Sequence, residues 1–190
     1  MQGFVARLSE RVLGGMAPIV IGLDPRLDAL PSRLAASASP VQRIAAFYQA
    51  TLPVLARHTP CVKPNIAFFE CFGSDGYRAY EEVCALSRRH GMLVLGDIKR
   101  GDIGSTAEAY AEGHFRIADA VTLHPYLGLD SVQPFLRHCQ PALGAHGVFV
   151  LVRTSNPDSD AIQAHRLADG RSIAEMMADT VAGLGRARLG

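Results

Sequence analysis

The densest group of reactive side chains in the sequence lies over residues 97–106, which read DIKRGDIGST. Residues two apart in an extended strand share a face, so Asp97 and Lys99 are predicted to point into the same cavity. Asp102 follows the turn and is expected to point elsewhere. Nearby carboxylates favour the charged form of a lysine, and a fixed ammonium group can oppose developing negative charge and donate a proton. This run is therefore the first candidate for a catalytic site.

The same run also has a purely structural interpretation, as a surface salt-bridge cluster followed by the start of a helix. Ser105 and Glu108 match the S-x-x-E capping box, so Ser105 needs no catalytic explanation. A D-x-K-x-x-D pattern arises by chance in on the order of a few per cent of chains of this length. By itself the pattern is a weak indication of function.

Polar residues also stand at the carboxyl ends of the other predicted strands. They are Asp24 at the first strand, Lys63 and Asn65 at the second, His124 at the fourth, and residues 154–156 at the fifth. Each has an ordinary explanation: Asp24 can shape a turn, Lys63 can be solvated, and a lone histidine is more often structural than catalytic. Active sites of parallel α/β folds nevertheless lie at this edge. The repetition at successive strand ends therefore favours a shared site.

The elements that would position these residues are short apolar runs that alternate with helical patterns. Strands are predicted over residues 19–23, 61–64, 92–97, 120–123 and 148–152. Helices are predicted over residues 4–12, from Pro40, over 77–90, from about Ser105, over 131–139 and over 173–184. Such alternation is typical of parallel strands joined by helical crossovers. It fits a doubly wound sheet or a (β/α)8 barrel, although a barrel needs eight units and about 250 residues.

Local signals refine these boundaries. Ser39 followed by Pro40 predicts a helix N-cap with proline at the first helical position. Pro53 is expected to kink or divide that helix. Residues 34–39, rich in Ala and Ser, are predicted to form a loop. The glycine-containing end over residues 183–190 is not expected to bind phosphate, because no strand precedes it.

Composition narrows the class of protein. The chain has 190 residues, 48% hydrophobic and 19% charged, with a net charge of +1, which predicts one soluble domain over residues 1–190. This balance gives no field for nucleic acid, and no apolar run is long enough for a membrane span. The four cysteines lack paired spacing, so they are expected to be reduced in a cytoplasmic protein. The seven histidines form no H-E-x-x-H, so no protein-held metal is expected.

The run DIKRGDIGST resembles the D-x-K-x-x-D-I-x-x-T signature of the orotidine 5′-phosphate decarboxylase family. Three further motifs agree with it in order and position: IGLDP around Asp24, VKPNIAFFE around Lys63 and VRTSNP around Ser155. Together they resemble the bacterial branch of the family that carries the KPN and TSNP motifs. The resemblance covers essentially the whole chain. It implies an α/β fold, a (β/α)8 TIM barrel, of which about the first five to six βα units are present in a chain truncated at its C-terminus.

The resemblance also implies an activity, that of a lyase which converts orotidine 5′-phosphate (OMP) to UMP and CO2 in de novo pyrimidine biosynthesis without a cofactor. Lys63, Asp97, Lys99 and Asp102 would form an alternating charge network. Lys99 would protonate pyrimidine C6 as CO2 leaves, with Asp97 beside the departing carboxylate. Asp24 and Lys63 would hold ribose hydroxyl groups.

The resemblance further implies a homodimer whose two subunits share each site. The partner subunit would contribute Asp102, together with Ile103 at the apolar pocket near the substrate carboxylate and Thr106 at the ribose 2′-hydroxyl. Ser155 would bind the pyrimidine edge within its own subunit's site.

Two alternatives stand beside this interpretation. A sister barrel family, the magnesium-dependent sugar-phosphate decarboxylases and synthases related to 3-keto-gulonate 6-phosphate decarboxylase, shares D-x-K-x-x-D. It uses an acidic metal ligand near the end of strand two, where this chain has the cation Lys63. The second alternative is an inactive barrel fragment, because the P-G-x-type loop and late arginine that hold the phosphate in the family do not occur in the sequence.

Overall fold

The computed structural model describes residues 2–32, 34 and 38–186, and within these ranges five strands form one parallel sheet. The strands are β1 (Val20–Leu23), β2 (Cys61–Pro64), β3 (Leu93–Arg100), β4 (Ala120–Leu123) and β5 (Gly147–Val150). The helices are α1 (Phe4–Leu13), α2 (Pro40–Leu55), α3 (Ala67–Glu70), α4 (Gly73–Arg89), α5 (Gly104–Phe115), α6 (Gln133–Arg137), α7 (Asp160–Gln163) and α8 (Ile173–Arg186). All five predicted strands are present, and the short helices α3 and α7 are additions to the predicted set.

The order of the strands separates the two fold classes that the sequence pattern left open. Each strand pairs in parallel with the next one in the chain, in the order β1-β2-β3-β4-β5. A doubly wound sheet reverses its strand order at a switch point, whereas a barrel adds each strand on the same side of the last. The described part of the chain shows no reversal, and it therefore forms five consecutive βα units of a (β/α) barrel.

One face of the sheet has an apolar layer below a polar layer. The apolar layer lies at the amino-terminal ends of the strands and consists of Cys61, Leu93, Leu95 and Ala120, packed with Phe4 of α1. Successive residues of a strand point to opposite faces, so the next residues on this face are Lys63, Asp97 and Thr122. The opposite face packs against the helices and forms the main core. Strand alternation thus places the polar residues above an apolar layer.

Helix α1 packs against this apolar layer. Phe4 is 2% exposed, and its N–H donates to the carbonyl of Ala145 at 2.9 Å. Arg7 pairs with Asp119 at 3.0 Å and fixes the next turn of the helix. Full burial of a phenylalanine contributes about 1.5–3 kcal/mol. The N-terminal helix is therefore a fixed part of the fold.

Two helix starts test the capping predictions with opposite results. At α2, the Ser39 hydroxyl accepts from the Gln42 N–H at 3.3 Å and the Gln42 side chain accepts from the Ser39 N–H at 2.9 Å, which confirms the N-cap. The capping box predicted from Ser105 is wrong. Helix α5 begins one residue earlier, at Gly104, whose φ of 51° suits glycine, and its N-cap Ile103 has no side-chain cap. Ser105 therefore lies inside the first turn.

Three further predictions concern the ends and the course of helices. Pro53 does not divide α2, which continues to Leu55. Of the predicted loop over residues 34–39, residues 35–37 lie outside the described residues, as do residues 187–190 of the glycine-containing end. None of the helices in the described ranges is long and apolar enough to cross a membrane.

Candidate active site

Two lysines meet one carboxylate at the carboxyl end of the sheet. Nζ of Lys63 donates to Oδ2 of Asp97 at 2.9 Å, and Nζ of Lys99 donates to Oδ1 at 2.6 Å. The Asp97 side chain is 6% exposed, whereas the two lysine side chains are 34% and 49% exposed. The charges are thus arranged with the anion buried and both cations reaching it from the open edge of the sheet.

The low lysine content of the sequence also points to this cluster. The sequence contains two lysines, against many arginines, and both of them bind Asp97. Arginine holds its proton under all ordinary conditions, whereas a lysine can give one up. Both lysines of the chain thus lie at the one carboxylate where a group that can transfer a proton would be needed for acid–base chemistry.

The electrostatics of the cluster favour an ionised carboxylate. Burial by itself would raise the pKa of Asp97, but hydrogen bonds from Lys99, Lys63 and the hydroxyl of Thr122 outweigh it and hold that pKa below its ordinary value. The Asp97 carboxylate therefore remains a fixed negative charge between two ammonium groups.

The backbone at Lys99 is unusual for a strand. Its φ is 46°, in the left-handed region that costs a non-glycine residue roughly 1–2 kcal/mol. The register of β3 against β4 shifts between Gly96 and Arg100, so Lys99 lies at an irregularity in the ladder. This geometry aims the Lys99 side chain back at Asp97 rather than along a regular strand. Strained backbone of this kind clusters at functional sites.

Glycine avoids a close contact where the chain leaves Lys99. A Cβ on Gly101 would lie 2.3 Å from the imidazole ring of His124. The N–H of His124 also donates to the carbonyl of Arg100 at 3.0 Å. His124, noted for its place at the end of the fourth strand, therefore packs against the turn after β3.

Arg100 ties the same turn to the helix after β2. Its guanidinium is ion-paired with the carboxylate of Glu70 at the end of α3 and lies 5.5 Å from the centre of the Tyr110 ring. These contacts hold the end of β3 between α3 and α5. Glu70 and Arg100 were not predicted as site residues, although they lie within the motifs VKPNIAFFE and DIKRGDIGST.

The remaining predicted residues of strands one, two and five lie at the same edge of the sheet but outside the charge cluster. Asp24 follows β1 and is exposed. The backbone of Asn65 forms an isolated parallel β-bridge with that of Asp97. The Asn65 side chain accepts a hydrogen bond from the Ala67 N–H at 3.3 Å at the start of α3. Ser155 is exposed in the segment after β5.

A cavity of about 260 Å³ opens beside the ends of β4 and β5. Its lining includes His124, Tyr126, Thr154 and Asn156. The backbone N–H of Thr154 donates to the Gln163 side chain at 2.9 Å, so helix α7 shapes this wall. The cavity lies at the same sheet edge as the charge cluster.

The residues predicted to act across a dimer do not join the cluster within the described chain. The Asp102 carboxylate accepts from the N–H of Ile103 at 2.8 Å, Ile103 is 56% exposed, and Thr106 is also exposed. All three lie at the turn and first helical residues after β3, with Asp102 half-buried. Their roles toward a partner subunit remain a prediction.

Within residues 2–32, 34 and 38–186, no three His, Cys, Asp or Glu side chains gather as a divalent ion would need. At the end of β2, where the sister family places an acidic ligand, the side chain is the Lys63 ammonium group. That position repels a cation.

The strand order and the charge cluster define the class of protein: a (β/α)-barrel protein with a lysine–aspartate–lysine cluster at the carboxyl edge of its strands. Residues 18–185 match the profile of the orotidine 5′-phosphate decarboxylase / HUMPS family, and the chain belongs to that family.

Individual relatives agree with this assignment. The orotidine 5′-phosphate decarboxylase of Roseiflexus sp. (strain RS-1) is 47% identical over 167 residues, which cover 85% of this chain and 58% of that protein. The one from Deinococcus radiodurans is 40% identical over 188 residues, which cover 96% of this chain and 62% of that protein. The solved Leishmania donovani OMP decarboxylase is similar with a TM-score of 0.76 and 35% identity, over 93% of this chain and 64% of that one. The chain thus spans 58% to 62% of the length of these two curated relatives.

Proposed function

We propose that the protein to which this chain belongs is an orotidine 5′-phosphate decarboxylase, a carboxy-lyase that forms UMP and CO2 for pyrimidine biosynthesis. The observation that carries the proposal is the binding of Lys63 and Lys99 to the two oxygens of Asp97. Relatives with this name are 40% to 47% identical to the chain. We further propose that the described residues are the first five βα units of a single barrel domain.

The geometry suits a reaction that needs a fixed cation and a proton at one point. When the bond between C6 and the carboxylate breaks, the electron pair stays on C6 in an orbital outside the pyrimidine π-system. The Lys99 ammonium opposes this charge and gives C6 a proton, which the lysine later recovers from solvent. Lys63 then remains to balance Asp97. The residues do this without a metal or an organic cofactor.

The substrate assignments follow the positions of the side chains at the sheet edge. Asp24 lies at the end of β1, which pairs with β2 next to Lys63, so both can reach ribose hydroxyl groups. Ser155 lies on the segment after β5, two strands from Asp97, where it can reach the pyrimidine edge. The substrate would then span the edge of the sheet with its C6 over Lys99.

The cysteines support a cytoplasmic location. Burial raises the pKa of Cys61 and Cys84 to about 12, so these thiols are inert and protonated inside the core. Such thiols fit a reducing compartment.

The test is UMP formation by the protein that carries this chain, compared with Lys99→Ala and with Arg78→Ala as a control on an exposed arginine. Loss of both the cation and the proton donor should lower kcat by at least about a thousandfold, since it removes several kcal/mol of transition-state stabilisation. The control should stay within about twofold, because its ion pair is exposed. The same assays are run with and without EDTA.

The outcomes separate the alternatives. Activity of Lys99→Ala within tenfold of wild type would remove Lys99 from the mechanism. Loss of wild-type activity on chelation, restored by magnesium, would favour the sister family. Absence of OMP turnover in the wild-type protein would favour a non-catalytic barrel.

We also propose a two-fold homodimer in which Asp102, Ile103 and Thr106 of each subunit complete the site of the other. The proposal is supported by the exposure of Ile103 and Thr106 and by the absence of a hydrogen bond between Asp102 and the charge cluster among the described residues. A two-fold interface makes the exchange reciprocal. Mixing and reassociating inactive Lys99→Ala and Asp102→Ala proteins should then restore about a quarter of the wild-type sites, because one site of each heterodimer carries neither defect. No recovery, with subunit exchange shown by mass spectrometry, would place Asp102 in its own chain's site.

A further inference from the structure

Thr122, in the middle of β4, contacts both reactive residues of β3 through one hydroxyl group. Its Oγ1 accepts from the backbone N–H of Lys99 at 3.0 Å and donates to Oδ1 of Asp97 at 2.9 Å. Thr122 is 8% exposed, so water does not readily replace either contact. Neither the motif search nor the resemblance gave this residue a role.

The Thr122 hydroxyl supplies an acceptor for the backbone N–H of Lys99. Pairing between β3 and β4 moves from Gly96–Val121 directly to Arg100–Leu123, and Lys99 sits within the interruption with its left-handed φ of 46°. A partly buried N–H at such an interruption has to find an acceptor outside the regular ladder. The hydroxyl of Thr122 supplies it.

The two hydrogen bonds also fix the orientation of the hydroxyl. Because its oxygen accepts from the Lys99 N–H, its single proton is left for another acceptor. An ionised carboxylate only accepts, and Oδ1 of Asp97 is the acceptor within reach. The same Oδ1 receives the Lys99 ammonium. Backbone, carboxylate and ammonium therefore share one anchor.

We propose that Thr122 is a positioning residue, whose hydroxyl sets the backbone of Lys99 and the carboxylate of Asp97 in register so that the lysine side chain is held in its reactive place. Its catalytic meaning rests on the proposed function, because Thr122 acts through Lys99. The hydrogen-bonding device itself is a property of the folded chain and can be measured without turnover.

The lysine content of the chain makes the measurement direct. In the protein that carries this chain, [α-15N]lysine labelling gives one backbone amide signal from Lys63 and one from Lys99, beside those of any lysine outside these 190 residues. Lys63→Arg and Lys99→Arg proteins identify the two signals by their loss. Hydrogen exchange of the Lys99 amide is then expressed as a ratio to that of Lys63, which separates a change confined to Lys99 from a change that both amides share.

Three substitutions separate the hydroxyl from the packing of the side chain. Thr122→Val keeps the branched shape and removes the hydroxyl, and it should raise the exchange ratio by about tenfold or more. Thr122→Ser keeps the hydroxyl and loses a methyl group, and its ratio should stay within about twofold of wild type. If the Thr122→Val protein fails to fold, Thr122→Ala serves as the second variant without the hydroxyl. It puts no added methyl group next to the carboxylate.

The results decide the proposal in either direction. A ratio unchanged in both Thr122→Val and Thr122→Ala, or a wild-type Lys99 amide that exchanges as fast as an unprotected one, overturns it. In the protein that carries this chain, Thr122→Val should lower kcat for UMP formation with KM little changed, and Thr122→Ser should restore kcat. If the exchange results hold but the wild-type protein does not turn over OMP, the proposed function fails while the hydrogen-bonding role of Thr122 in the fold stands.

Discussion

Replacing Asp97 by asparagine tests whether the charge cluster stabilises the fold or strains it. The substitution keeps one acceptor oxygen but places an NH2 group against an ammonium or the Thr122 hydroxyl. Breaking a buried ion pair costs about 3–5 kcal/mol and an exposed one about 0–1 kcal/mol. The Asp97 side chain is 6% exposed, while its two lysines are 34% and 49% exposed, which places the cost between these limits. We expect Asp97→Asn to lose roughly 2 kcal/mol of unfolding free energy at pH 7 and roughly 4–8 °C in Tm.

The pH dependence gives the sharper result. The pKa of Asp97 is lowered in the folded chain, so its contribution is complete above the ordinary aspartate pKa and is lost as pH falls through the folded value. The stability gap between wild type and Asp97→Asn, measured by urea unfolding from pH 7 downward, should therefore shrink below about pH 4. Asp75→Asn, whose ion pair with Arg78 is exposed, is the matched control and should change stability by under about 0.5 kcal/mol. A variant as stable as wild type at pH 7, or a gap that widens in acid, would refute the reasoning.

Two further predictions concern neighbours of the cluster. Burial lowers the pKa of His114 from 6.5 to about 4. The unfolding free energy should therefore fall by roughly 3 kcal/mol as the pH falls from 6.5 to 4, because the unfolded chain takes up the proton first. For His114→Gln, the unfolding free energy measured with urea should vary less with pH over this window. His58→Gln, at an exposed site, should keep the pH dependence of the wild type. Gly101→Ala should cost roughly 1–3 kcal/mol because its Cβ would lie 2.3 Å from the His124 ring. Gly113→Ala, with no atom within 4 Å of its Cβ, should be neutral or stabilising, and equal urea midpoints for the two variants would contradict the close approach.

The strands could be read from the sequence wherever a strand is a regular apolar run with clear ends. Strands β2 and β4 match the prediction residue for residue. Strand β3 was predicted to end at Asp97 but continues to Arg100, because the chain passes through the left-handed Lys99 and pairs again with β4 beyond it. A period of two cannot reveal an irregularity that depends on a neighbouring strand. The short helices α3 and α7 were missed for a related reason, since four residues carry almost no helical period.

The candidate site was likewise predictable from the sequence only in part. That Asp97 and Lys99 would meet followed from their spacing, although a backbone turn rather than plain strand alternation brings the ammonium to the carboxylate. Thr122 was missed because a threonine inside an apolar strand reads as an ordinary β-branched residue. Its function depends on a partner in another strand, and the sequence does not say which strand that is. The capping box at Ser105 failed because the motif is short and Gly104 can start the helix alone.

The layering of the sheet face explains how a buried carboxylate and a strained lysine can coexist in a small fold. Below Asp97 the face carries apolar side chains that pack with Phe4, and the Asp97 side chain itself is 6% exposed. Under these conditions the carboxylate must be satisfied by protein groups, and it is, by two ammonium groups and the Thr122 hydroxyl. Because the Asp97 side chain is largely shielded from water, each of those contacts is stronger than it would be in water. The hydrogen bonds of Thr122 and Asp97 to Lys99 therefore offset the cost of its unfavourable backbone conformation, which is why the buried carboxylate and the strained lysine belong to one site.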